Sequence, residues 1–301
     1  MALASLLLVL LAICRVPVAA AQELSPRAYW PAPTGTKLIS IAYVNTGGDV
    51  VIDPSLPVSG VDSDIDTLLL AYRHTTDWFG RTSTVILEMP MVQGETSGRL
   101  EDDSVVTRDL VGVGDVAATL SVNLLGAPAM DAEGFQALRR DPHPTLGASV
   151  RVVAPTGKYS EDRIVNVSAN RWASKLELGY MLPIHRKWLF EAEIGVWLFG
   201  DNDEFALGRR EQKPIWAGEF HLVHRFNPGF WASLDFNYFR GGQTIIDGDT
   251  KDDLQRNTTA GLTLVFPFVR RQSIKVGYGR GSVRVSDNDF YNFVVSYQRV
   301  F

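Results

Sequence analysis

From Lys37 onward the chain alternates apolar side chains with polar or small ones, in runs separated by stretches rich in Asp, Gly, Ser and Asn. Alternation with a period of two predicts β-strands with one apolar face. Twelve runs show it: Lys37–Val44, Asp66–His74, Thr82–Pro90, Asp115–Leu124, Leu146–Pro155, Arg171–Leu182, Lys187–Phe199, Pro214–Phe226, Gly229–Phe239, Arg256–Phe266, Arg271–Gly279 and Phe290–Phe301. The pattern is clearest in the second half. Trp188, Phe190, Ala192, Ile194, Val196 and Leu198 share one face, with Glu191, Glu193 and Gly195 on the other. Likewise Phe230, Ala232, Leu234, Phe236 and Tyr238 oppose Ser233, Asp235 and Asn237. The last run sets Tyr291, Phe293, Val295, Tyr297 and Phe301 against Asn292, Ser296 and Gln298.

A β-sandwich, whose apolar faces pack on each other, would give the same alternation. The connections favour a barrel. Thr75–Arg81, Pro183–Arg186, Asn227–Pro228 and Pro267–Arg270 are short, whereas Asn45–Ile65, Met91–Gly114, Thr156–Asn170, Asp201–Lys213 and Arg240–Gln255 are long. Short turns at one end and long loops at the other are the mark of bacterial outer-membrane barrels. Gly126–Thr145 is the exception, and a brief helix over Ala132–Arg139 would fill it. Aromatic residues on the apolar face also gather near run ends, among them Trp172, Trp188, Trp216, Phe226, Phe230 and Tyr238. Such rings belong at the two lipid headgroup levels. The expected fold is all-β: a transmembrane antiparallel β-barrel of about 12 strands, over residues 37–301.

Composition fits this class. Charged residues make up 21% and hydrophobic ones 46%, too polar for a bundle of membrane helices. The net charge of −5 gives no reason to expect nucleic acid as a partner. Leu6–Ile13 is a compact apolar stretch followed by Ala19-Ala20-Ala21, which predicts a secretory signal peptide over residues 1–21. No Lys or Arg precedes it, which suggests a misassigned start codon. The sole cysteine, Cys14, falls inside this segment, so the mature chain offers no disulfide and no thiolate. A terminal Phe301 closing an alternating strand looks like the signal read by the barrel-assembly machinery, with Arg299 departing from the usual apolar residue.

Several stretches resemble the MetA-pathway of phenol degradation family. They are Arg27-Ala28-Tyr29-Trp30-Pro31-Ala32-Pro33-Thr34-Gly35-Thr36, Gly112-Val113-Gly114-Asp115, Ser121 to Pro128, Pro155-Thr156-Gly157-Lys158-Tyr159, Asn170-Arg171-Trp172-Ala173 and Gly195-Val196-Trp197-Leu198-Phe199. Their order spans most of the mature chain. The resemblance implies a Gram-negative outer-membrane barrel that passes aromatic or other hydrophobic compounds, and it brings no catalytic residue.

With the apolar face toward lipid, the polar face lines the lumen. The expected lumen or substrate-path residues are Arg151, Lys175, Glu177, Glu191, Glu193, Glu219, His221, Arg225, Asp235 and Lys275, with Arg73 and Glu88 beside them. Opposite charges would pair across strands, Lys175 with Glu191 or Glu193 and Arg225 with Asp235, offsetting the cost of burying each ion. Residues 22–36 carry Tyr29 and Trp30 between prolines, so they form no continuous strand or helix. They would serve as an ordered periplasmic lead-in or as a plug.

Catalysis is not expected. His221 and His224 are three apart and fall on opposite faces, and neither pairs with a serine by alternation. No cofactor or metal motif is complete. Asp201-Asn202-Asp203-Glu204 and Asp247-Gly248-Asp249 only partly match calcium loops and read as solvated loops that could meet lipopolysaccharide. The sequence thus predicts a passive outer-membrane channel for small hydrophobic or aromatic molecules. The alternative is a structural or surface-interaction barrel whose lumen is closed by its own charge pairs.

Overall fold

A computed structural model describes residues 25–48, 62–99, 105–283 and 289–301. The expected signal peptide, with Cys14, lies outside them.

The strands form one closed antiparallel barrel. They are β1 (Lys37–Gly48), β2 (Asp62–Trp78), β3 (Arg81–Arg99), β4 (Val105–Val113), β5 (Val116–Leu125), β6 (Thr145–Ala154), β7 (Ala173–His185) and β8 (Trp188–Phe199). Then come β9 (Arg210–Gln212), β10 (Ile215–Asn227), β11 (Phe230–Gly241), β12 (Thr244–Ile246), β13 (Asp249–Thr250), β14 (Gln255–Val269), β15 (Gln272–Val283) and β16 (Asp289–Val300). Each main strand pairs with its chain neighbours, and β1 closes the ring by pairing with β16 from Leu38↔Val300 to Gly48↔Phe290. Because β4 and β5 both lie along β3, they act as one interrupted strand, and the wall has twelve strands. The interruption has a local cause. Pro90 cannot donate to the ladder, so β3 switches partner there, and Gly114 N–H reaches the Pro90 carbonyl at 2.9 Å.

Side chains sort by alternation. Ile194 is 63% exposed and Leu234 49%, while Glu193 and Asp235 beside them in sequence are buried within the ring. The apolar surface therefore faces outward, as a bilayer requires and a water-soluble sandwich forbids. Near the short-turn end, Trp188, His224, Phe226 and Phe230 form a row of rings with successive centroids 4.5 Å apart. This is one arc of an aromatic girdle.

Two features depart from the sequence expectation. The long connections are not all loops: β2 and β3 have 17 and 19 residues and continue as a ribbon well past the apolar band. Outside the bilayer both faces meet water, so alternation fades while backbone pairing persists. Residues 201–213 and 240–255 likewise contribute the small sheet β9, β12 and β13. The connection between β5 and β6 does hold a helix, α1 (Ala132–Arg140). Asp131 caps it by accepting from Gly134 N–H at 2.9 Å. Gly126, at φ +82°, turns the chain toward it where an added Cβ would strike the Pro144 carbonyl.

Candidate functional site

The lumen is divided into a packed half and an open half. Residues Ser25–Thr36 occupy the packed half. Thr34 N–H bonds to the Met130 carbonyl at 2.8 Å and Gly35 N–H to the Thr75 carbonyl at 2.9 Å, which fixes the segment at the short-turn end before β1 begins. From there it rises into the barrel. Tyr29 is buried, its hydroxyl within 3.0 Å of Glu177 Oε1 and 3.1 Å of Ser149 Oγ, and its carbonyl accepts from Asn123 Nδ2 at 3.1 Å. The ring lies against Gly147 on β6 and Gly179 on β7, which are partners in register. A Cβ on either would overlap the ring. The two glycines thus carve the slot that Tyr29 fills.

Trp30 packs on Met181, Leu189 and Val223, with the guanidinium groups of Arg27 and Arg225 at 4.7 and 4.8 Å from its ring. Arg27 also stacks on Trp231 at 5.0 Å, and its backbone N–H donates to Glu191 at 2.6 Å. It does so at φ +68°, an unfavourable conformation for a side chain with a Cβ. Strain of this kind persists only where surrounding contacts fix it.

The expected lumen residues sit as follows. Lys175 pairs with Glu177 and with Glu219 at 2.5 Å, all three largely buried. His221 and Asp235 form a wholly buried pair, Nδ1 to Oδ1, at 2.7 Å, and Thr263 donates to the other Asp235 oxygen at 2.8 Å. Arg151 pairs with Glu88. Arg73, Glu193 and Lys275 line the open half.

The proposed pairings of Lys175 with Glu191 or Glu193, and of Arg225 with Asp235, are corrected. Lys175 stands opposite Trp197 on β8, and its stem crosses Gly195, whose missing side chain lets the ammonium reach β10. Arg225 lies four residues from His221, the partner of Asp235 in register, or roughly 13 Å along the strand. It turns instead to the Arg139 carbonyl at the end of α1.

The open half is a cavity of about 1340 Å³. It reaches from Arg271 and Phe301 at the short-turn end to Asp115 and Val167 near the long loops. On its β1–β3 wall Leu38, Ala42, Val44, Leu69, Ile86 and Val92 turn inward, interspersed with Ser40, Thr67, Arg73 and Glu88. Sequence reading missed this wall, because strands with apolar residues on both faces alternate weakly. It also missed Gly147 and Gly179, although glycines on the inner faces of consecutive strands are the signal for a close approach.

At the long-loop end, residues 156–170 fold across the edge of β4. Asp115 holds them, accepting from Gly157 N–H at 2.9 Å, Ser168 Oγ at 2.7 Å and Ala169 N–H at 2.9 Å. Above the cavity Val167 joins Ile65, Val92 and Leu110 in an apolar cap. Burial raises the Tyr159 phenol above its ordinary pKa, opposed by a hydrogen bond from Asn202. Charge-assisted hydrogen bonds contribute about 1.5–3 kcal/mol each. Asp115→Ala should therefore release residues 156–170 to limited proteolysis while the heat-resistant gel mobility of the barrel is kept. Unchanged cleavage would show that the apolar cap alone secures the loop.

The Asp235–His221 pair has the form of half a catalytic triad, but His221 Nε2 meets no hydrogen-bond partner among the described residues. Among the described residues no serine hydroxyl is hydrogen-bonded to that nitrogen.

The fold is that of known outer-membrane barrels. The COG4313 outer membrane channel from Pseudomonas putida F1 is 22% identical, with a TM-score of 0.70, and the match covers 93% of this chain and all of that one. The beta domain of the Bordetella autotransporter BrkA is 10% identical with a TM-score of 0.50, covering 89% of this chain and all of that one. No curated protein matches. The family model described as "Putative MetA-pathway of phenol degradation" matches residues 42–295, nearly the whole barrel. The chain therefore belongs to the MetA-pathway of phenol degradation family, built as a twelve-stranded barrel of the Gram-negative outer membrane.

Proposed function

We propose that this protein is a passive outer-membrane channel for small apolar or aromatic molecules. The carrying observation is the cavity of about 1340 Å³, which runs most of the barrel's length with a band of apolar side chains on β1–β3 facing a more polar wall. Ligand sites for drug-sized molecules have this character: largely apolar, with a few placed polar groups. Water alone would not call for Leu38, Val44, Leu69 and Ile86 on an inner face. The similar P. putida protein is an outer membrane channel, which agrees with this reading. In it, Arg151, Lys175, Glu177, Glu193, Glu219 and Lys275 form the polar side of the path. Glu191, His221, Arg225 and Asp235 anchor the N-terminal segment and the wall behind it. Residues 25–36 serve as a plug that narrows the pore. Lipid covers the outer face, lipopolysaccharide meets the long acidic loops, and the strand ending at Phe301 presents the assembly signal.

The test is permeation through liposomes carrying the refolded protein. An apolar aromatic solute should pass faster than a sugar of similar size. Leu69→Glu, which puts a charge in the apolar band, should slow the aromatic solute on the order of tenfold, since an unmatched polar group costs roughly 1–3 kcal/mol. Equal permeation by both solutes, or no effect of Leu69→Glu, would sink the apolar-path reading.

The packed half favours a second reading, a structural barrel closed by the Lys175, Glu177 and Glu219 network and the buried Tyr29. Such a barrel would leave a planar bilayer silent, whereas a channel gives discrete currents.

A further inference from the structure

We propose that Glu193, Glu219 and His221 form a binding site for a divalent transition-metal ion, of which zinc is the best match, in the barrel wall. All three side chains are buried, and their ligand atoms lie within 4.8 Å of one another. The sheet sets this spacing. Glu219 and His221 are two apart on β10 and share its inner face, and Glu193 on β8 is the register partner of Glu219. Directly opposite residues hold their Cβ atoms about 4.5–5.5 Å apart, so three donors converge with no loop to order.

The independent sign is the imidazole. Its Nδ1 is bound to Asp235, and its Nε2 is wholly buried with no hydrogen-bond partner among the described residues. An unpaired buried nitrogen costs free energy, and a metal ion removes that cost. Asp235 in turn is held by Thr263. A carboxylate on one ring nitrogen with metal on the other is the arrangement that fixes the tautomer and aim of a ligating histidine.

Charge points the same way. Glu193 faces the carboxylates of Glu177, Glu219 and Glu191 as well as the ammonium of Lys175. Lys175 is already shared between Glu177 and Glu219. A second positive centre beside Glu193 would balance the cluster. One imidazole and two carboxylates suit zinc better than calcium or magnesium, which take oxygen ligands throughout. Tetrahedral zinc with ligands at about 2.0–2.2 Å separates its donors by roughly 3.4 Å, so side-chain rotation of about an ångström closes the site. Glu193 and Glu219 also line the cavity, which gives the ion its entry path and leaves a coordination position for water.

This proposal does not depend on the transport reading. The test is to strip the full-length protein in detergent with chelator, then titrate zinc alone by calorimetry. One zinc per chain is expected, with magnesium giving no comparable heat. His221→Ala and Glu193→Gln should each abolish or strongly weaken that event. Asp235→Asn should weaken it about 10–100-fold, the usual effect of losing an outer carboxylate. His224→Ala, altering a histidine on the outer face, should leave it unchanged. Glu193→Gln is nearly isosteric and keeps the test usable if His221→Ala fails to refold. Absence of a one-to-one event, or its survival in Glu193→Gln, would overturn the proposal.

Discussion

Deleting Ser25–Thr36 is expected to raise the single-channel conductance of the refolded barrel several-fold. The segment packs against the short-turn ends of β6–β11, where Tyr29 and Trp30 displace water that would otherwise carry ions. A twelve-stranded ring is wide enough for such a gain, since about eight strands already enclose their own side chains and sixteen to eighteen leave an open channel. Deletion also exposes Gly147, Gly179 and Glu191, so a second variant is needed that leaves the segment intact. Gly147→Ala supplies it. Neither Gly147 nor Gly179 has a positive φ, so the strand tolerates a Cβ, but the ring of Tyr29 does not. The tyrosine must leave its slot, and its hydrogen bonds to Glu177 and Ser149 are lost with it. Conductance should rise here too, by less than in the deletion. If both variants conduct like the wild type, residues 25–36 are only a lead-in to β1.

The second large effect concerns the outer face. Ile194→Arg should destabilise the barrel in lipid vesicles by about 2–4 kcal/mol, the cost of a cation on the lipid face near the bilayer midplane. Ile194 sits near the middle of β8 and is 63% exposed on the outer surface. Thr67→Arg on β2 is the control, because Thr67 lines the open cavity where an arginine stays hydrated. It should cost far less and alter ion selectivity instead. Denaturant titration in vesicles measures both. Equal losses would mean that inner and outer faces meet the same solvent, which a membrane barrel cannot allow.

These predictions rest on unequal amounts of sequence information. The strand runs and their outward faces were legible because lipid on one side and a polar interior on the other impose a period of two on each strand. The opposite placement of His221 and His224 follows from that period alone. The helix in the β5–β6 connection was expected on another ground, the unusual length of Gly126–Thr145 among the short turns. Partner choice was not legible. Which carboxylate Lys175 meets depends on Gly195 one strand away, and which group Arg225 meets depends on where α1 ends.

The sequence by itself determined a ring of strands, its apolar exterior, its aromatic girdle and the polar residues turned inward, because each is a local property repeated along one strand. Only the tertiary structure decided that the lumen is half packed and half open, that Tyr29 lies in a slot between two glycines, and that Glu193, Glu219 and His221 converge. Those facts join residues far apart in the chain. Closing the barrel brings strands together at a register, and that register is a property of the whole ring.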